Sequence, residues 1–162
     1  MPMPTLEARM QAIEDRFALL DLEADYAYGW DFGSPQEWAE VFAEDGSFEM
    51  LPAGNTPHAR VLGRAGLEAF CSQIRQTWSG LHYMHPPRLK IAGDRADSMI
   101  FFEFRHIMQT GMALIRQGVT AGYYRTTYVR TAQGWRIQER IEQAIGEELS
   151  NFYPSSLSVP QP

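Results

Sequence analysis

Asp31 and His82 are the residues whose types and settings best suit chemistry. Asp31 closes the amphipathic stretch Asp25-Tyr26-Ala27-Tyr28-Gly29-Trp30-Asp31, and His82 sits in the run Leu81-His82-Tyr83. A carboxylate that holds an imidazole in one tautomer makes a general base working near neutral pH. Such a base can take a proton from a carbon beside a carbonyl, or beside a carbon that bears a leaving group. Asp31 would accept from one ring nitrogen and stabilise the imidazolium, as in a hydrolase triad without its nucleophile. The alternative is a structural Asp–His hydrogen bond in a pocket that only binds.

Two elements must bring this pair together. Thr5 can cap a helix along which Leu6, Met10, Ile13, Phe17, Leu20, Ala24 and Tyr28 recur every three or four residues, which predicts one buried face. The next step on that face is Asp31, and a buried charge there needs a partner. His82 belongs to a strand predicted over 81–91. Leu89 and Ile91 share parity with Leu81 and Tyr83, so plain alternation turns His82 away from them. Pro86-Pro87 can hold a break that resets the phase.

Between these elements, Ser34-Pro35-Gln36-Glu37 reads as a capping box with Pro at the first helical position. Trp38, Val41 and Phe42 supply the buried face of that helix, Glu44-Asp45-Gly46 ends it, and a short strand follows over 47–51. Residues 52–60 read as a loop and 64–78 as a third helix. Cys71 falls there among Leu67, Phe70, Ile74 and Trp78, the setting of a buried structural thiol. Further strands are predicted over 97–108, 119–130 and 135–145. Hairpin turns fall at Ala92-Gly93-Asp94-Arg95 and Thr131-Ala132-Gln133-Gly134. Residues 111–118 are expected to interrupt the sheet, and 151–162 to form a Ser- and Pro-rich tail.

The bulk numbers narrow the class. A chain of 162 residues with 44% hydrophobic residues suits one domain over 1–162 with a substantial core. A net charge of −6 argues against nucleic acid or an anionic membrane as the main partner. One cysteine excludes an intrachain disulfide. The N-terminus lacks a signal-peptide pattern and no apolar run approaches a membrane span, so the expected location is cytoplasmic. The four histidines lack metal-ligand spacing, and no phosphate-binding Gly-rich loop is present. No metal and no cofactor are therefore expected.

Helices first and a long antiparallel sheet afterwards make an α+β chain. Three helices against one curved sheet would enclose an apolar cone, a natural small-molecule pocket. The order of elements, the Tyr28-Gly29-Trp30-Asp31 helix ending, the Leu81-His82-Tyr83 strand and Gly134-Trp135-Arg136-Ile137 resemble the nuclear transport factor 2-like superfamily, in its SnoaL-like branch. The resemblance runs over about 5–153. It implies a cone-shaped antiparallel sheet wrapped around three N-terminal helices, a cystatin-like α+β barrel. It also implies cofactor-free elimination of the kind performed by hexachlorocyclohexane dehydrochlorinase, scytalone dehydratase and bile acid 7α-dehydratase. In the dehydrochlorinase an Asp–His dyad removes the proton, and its positions fall on Asp31 and His82.

Scytalone dehydratase adds a second histidine on the next strand, which falls on His106. Its tyrosine before the Asp is Trp30 here, its first-strand tyrosine falls near Met50, and its Asn falls near Tyr124. The lining therefore differs, and substrate identity does not carry over. His106 is expected as an acid or hydrogen-bond donor, Tyr26, Trp30 and Tyr124 as substrate contacts, and Arg140 as a partner of a carboxylate on a ligand or inside the protein. A core histidine, packing aromatics and a surface arginine are the plain alternatives. The expected substrate is a small apolar ring compound. An isomerase, a hydrolase and a non-catalytic binding or scaffolding protein are the rivals. Exposed Phe101 and Ile107, with the trimers formed by related dehydratases, imply a homo-oligomer, a trimer ahead of a dimer. Phe152 and Tyr153 are expected to fold the tail over the cone entrance.

Overall fold

Three helices lie on one face of a curved, unclosed, mixed sheet of seven strands. The computed structural model describes residues 3–53, 58–110 and 114–152. The order is α1 (Leu6–Asp31), α2 (Pro35–Glu40), β1 (Phe42–Met50), β2 (Ala59–Leu62), α3 (Gly63–Arg75), β3 (Trp78–Met84), β4 (Arg88–Ala92), β5 (Arg95–Thr110), β6 (Leu114–Thr131) and β7 (Gly134–Phe152). The sheet runs β2-β1-β7-β6-β5-β3, with β4 also paired to β5. All pairs are antiparallel except β1 with β7, which run parallel. The fold is the expected α+β one with a curved sheet against three helices, but the sheet is mixed instead of wholly antiparallel and its edges do not meet.

The first two helix starts follow the sequence signals. Thr5 accepts from the Ala8 amide at α1, and Ser34 with Glu37 forms the full capping box at α2. The buried face of α1 is not the one expected. Leu6, Met10, Ile13, Phe17 and Tyr28 are more than half exposed, whereas Asp15, Leu19, Leu22, Glu23, Tyr26 and Gly29 face inward. The inner face was hidden from the pattern because two of its members are carboxylates. Gly29 allows α2 to approach, since a Cβ there would lie 3.1 Å from the Trp38 backbone.

Several boundaries move. Val41 ends α2 and Phe42 already begins β1, so Glu44-Asp45-Gly46 lies in a strand instead of ending a helix. Trp78 opens β3 instead of closing α3. Cys71 is fully buried on α3. Leu114 to Gly118 continue β6, paired with His106 to Thr110, so the sheet is not interrupted there. Asn151 and Phe152 extend β7 against Arg116 and Ile115 instead of starting a tail. The rest of the proposed lid, from Tyr153 onward, lies outside the described residues.

The Pro86-Pro87 break does reset the phase. The predicted strand 81–91 is two strands placed end to end on the same edge of β5. In β3 the half-buried positions are Trp78, Gly80, His82 and Met84, whereas in β4 they are Leu89 and Ile91. The skip from even to odd lets His82 share the inner face with Leu89 and Ile91. Leu81 and Tyr83 point outward and are exposed.

Candidate active site

Asp31 and His82 meet. The Asp31 Oδ1 lies 2.7 Å from His82 Nδ1, and Asp31 Oδ2 accepts the His82 backbone N–H at 2.7 Å. Both side chains are nearly covered, 5% and 6% exposed. A carboxylate can only accept, so Nδ1 carries the proton and Nε2 is left bare. No described residue bonds Nε2. With both Asp31 oxygens engaged, the carboxylate orients the ring and the imidazole is the group able to move a proton.

The rest of the scaffold holds the imidazole still. His82 pairs in register with Phe104 on β5, whose ring lies 4.5 Å from the imidazole. Tyr26 and Trp30 meet it edge-on from α1 at 6.0 and 6.1 Å. Gly80, two residues earlier, has no room for a side chain, since a Cβ would lie 2.3 Å from the Arg105 carbonyl oxygen. Strand β3 therefore lies tight against β5, which fixes the height of His82 in the sheet.

Beneath the dyad is a buried polar cluster that the sequence did not reveal. Arg140 on β7 is fully buried and donates through Nη2 to both oxygens of Glu23 on α1. Its Nε donates to the Thr126 hydroxyl at 3.2 Å. The Tyr128 hydroxyl donates to Glu23 at 2.6 Å and shares a further bond with Ser98. The Arg140 guanidinium also lies over the rings of Tyr26, 3.8 Å from its centroid, and Tyr124, 4.8 Å. Burial opposes the Arg140 charge, but Glu23 outweighs it and holds the guanidinium above its ordinary pKa. Arg140 is thus paired with a carboxylate inside the protein, one of the alternatives open for it in the sequence. It is not a surface residue, and only Nη1 lacks a hydrogen bond among the described residues.

Glu142 was not singled out from the sequence. It lies two residues beyond Arg140 on the same strand face, in register with Tyr124. Burial pushes its carboxyl up to about 7, with Arg140 and the Tyr124 hydroxyl partly offsetting that rise. Nothing in the local sequence Ile141-Glu142-Gln143 marks it. Only the inward phase set by Arg140 does.

The other predicted residues divide between buried and half-buried positions. Tyr26 and Tyr124 are almost fully covered, and Tyr124 stacks on Phe102 at 4.2 Å. Burial raises both phenols well above their ordinary values, so both stay neutral. Trp30 is half-buried and packs on Trp38 at 4.9 Å. His106 is buried on the inner face, shares a 3.1 Å hydrogen bond with Thr120 through Nε2, and lies 4.6 Å from Trp78. Met50, Phe70, Met84 and Phe104 also pack against the core while staying partly open. His58 Nε2 pairs with Glu49 at 2.8 Å, and His85 is exposed. No group of side chains suited to a metal occurs among the described residues. A separate cleft of about 380 Å³ between α1 and α2 carries Asp25, Glu37, Glu40 and Arg136, and shares no residue with the dyad.

The sequence pattern of the SnoaL-like domain matches residues 11–141. The chain belongs to the SnoaL-like family. Solved structures agree with that placement. A candidate aromatic ring hydroxylase from Novosphingobium aromaticivorans is 26% identical, with a TM-score of 0.73 over 86% of this chain and 94% of its own. A hexachlorocyclohexane dehydrochlorinase from Novosphingobium barchaimii is 16% identical, with a TM-score of 0.72 over 95% and 99%. A candidate scytalone dehydratase from N. aromaticivorans is 21% identical, with a TM-score of 0.70 over 87% and 90%. At 16% and 21% identity the likeness is one of fold. No curated protein matches the chain. Among the described residues of this SnoaL-like protein, no helix is long and apolar enough to cross a membrane.

Proposed function

We propose that this SnoaL-like protein is a cofactor-independent lyase that eliminates a leaving group from a small apolar ring compound, with His82 as general base. One observation carries the reading. Both oxygens of Asp31 are committed to His82, so the ring is held in one tautomer with Nε2 bare. Asp31 also occupies the C-terminal end of α1, where the helix dipole disfavours a carboxylate. That position is poor for stability and good for orienting a base.

In the proposed step Nε2 takes a proton from a ring carbon, the released electron pair forms a carbon–carbon double bond, and the leaving group departs from the neighbouring carbon. Asp31 stabilises the imidazolium that results. Where the leaving group is a hydroxyl, it needs a proton. His106 and Glu142 are the inner-face groups able to supply it, the latter as a neutral acid below about pH 7. Trp30, Met50 and Phe104 would flank the ring, with Tyr26 and Tyr124 beneath it. Arg140 would reach a ligand only through Nη1, since its other nitrogens are engaged.

The test is a panel of chlorinated cyclohexanes and β-hydroxy ring ketones, followed by chloride release and by the absorbance of the conjugated product. Turnover of any member that saturates with substrate supports the lyase. Tight binding without turnover across the panel would make the protein a binding module instead.

A further inference from the structure

The outward face of α1 is a seam of large apolar side chains with no partner among the described residues of the protomer. Leu6, Met10, Ile13, Phe17 and Tyr28 are 53–69% exposed, Leu20 is half-buried and Ala24 is exposed. Their spacing from Leu6 to Ala24 alternates four and three, the a/d repeat of a coiled coil. At about 100° per residue the seam points roughly 160° away from the inner face of Leu19, Leu22 and Tyr26. The first nine residues of α1, Leu6 to Glu14, are exposed on every side. This stretch, about 13 Å long at 1.5 Å per residue, reaches beyond the point where Asp15 first meets the body. An isolated helix that short is marginal in water, so a projecting apolar helix end calls for a partner.

The flanking charges identify that partner. Along one side of the seam stand Arg9 and Arg16, and along the other Glu7, Glu14 and Asp21. None of the five is paired within the protomer among the described residues. In heptad terms the arginines occupy g positions and the acids e positions. A parallel pair of identical helices sets each g beside the e five residues later on its partner. Arg9 then meets Glu14 of the second copy, and Arg16 meets Asp21. An antiparallel pair would set acid against acid and arginine against arginine.

We infer that α1 pairs in parallel and in register with the α1 of a second copy of this chain, about a two-fold axis running along the seam. The two domain bodies lie on opposite sides of that axis, because the seam and the inner face point in nearly opposite directions. The dyads are then carried on separate protomers, and the pairing is independent of the proposed activity. The exposed outer face of the sheet, with Leu81, Tyr83, Phe101 and Ile107, is a different surface and stays open for a second kind of contact.

Disulfide cross-linking of the full chain tests the orientation. In a parallel pair, residues at one seam position face their own copies within disulfide reach, about 4.4–6.8 Å between Cα atoms. Native Cys71 is buried and will not interfere. Met10→Cys and Phe17→Cys should each give a covalent dimer under mild oxidant, whereas Ala18→Cys, on the side of the helix, should not. A failure of both seam variants to cross-link overturns the proposal. So does a dimer that forms only when Met10→Cys is mixed with Leu20→Cys, since that pairing is antiparallel. Charge reversal gives a second readout by sedimentation. Arg9→Glu/Arg16→Glu and Glu14→Arg/Asp21→Arg should each weaken the α1 association at least about tenfold, and mixing the two should restore it. Unchanged association in both double variants would contradict the pairing.

Discussion

Replacing Glu142 with glutamine should make the protein more stable at alkaline pH and change little at acidic pH. The carboxyl is moved from an ordinary 4.5 up to about 7 by burial on the inner face. A raised folded-state value means that the folded protein holds its proton where the unfolded chain has lost it. The stabilising contribution is therefore full below about pH 4.5 and is lost as pH climbs to about 7. Over that window a carboxyl so displaced loses about 3 kcal/mol, an upper value because Glu142 is only half-buried by area. Glutamine keeps the shape and cannot ionise. Urea unfolding of both proteins at pH 4 and pH 8 isolates the effect, since every other titrating group is common to the two. Relative to wild type, Glu142→Gln should gain up to about 3 kcal/mol between pH 4 and pH 8. A difference that stays flat with pH, or that turns against the variant at pH 8, would refute the reasoning.

The buried pair beneath the site should be strongly non-additive. Glu23→Leu or Arg140→Met alone strands a buried charge and should cost about 3–5 kcal/mol, whereas the double variant should cost far less than the sum. Denaturant midpoints of the four proteins check this, and simple additivity would contradict the pairing. Gly80→Ala sets a methyl group against the Arg105 carbonyl and should displace β3. It should lower both stability and turnover, measured by thermal unfolding and by activity on a panel substrate. Asp31→Asn should leave the fold intact but lower kcat by orders of magnitude, because asparagine can donate to Nδ1 and favour the wrong tautomer. Unchanged kcat would remove Asp31 from the mechanism.

The parts of this structure legible in the sequence are those written in short-range signals. The Thr5 and Ser34 caps and the two hairpin turns each depend on a few adjacent residues. The family pattern carried Asp31 and His82 to one site although fifty residues separate them. The inward phase of His82 needed the break at Pro86-Pro87, which the sequence located but whose one-residue shift shows only in the register against β5. The face of α1 was misassigned for a physical reason. Its most regular apolar stripe is the outer one, and its inner face buries Asp15 and Glu23 against Arg130 and Arg140 from β6 and β7. Partners more than a hundred residues away leave no trace in local periodicity. Glu142 was missed on the same grounds, as one of several glutamates along a long strand.

The central claim is that His82 takes the substrate proton, and the turnover of His82→Ala tests it most directly. With a panel substrate that the wild type converts, and with circular dichroism showing an intact fold, His82→Ala should lose at least about a hundredfold in kcat, the share expected of a positioned general base. A variant that turned the substrate over at the wild-type rate would contradict the account.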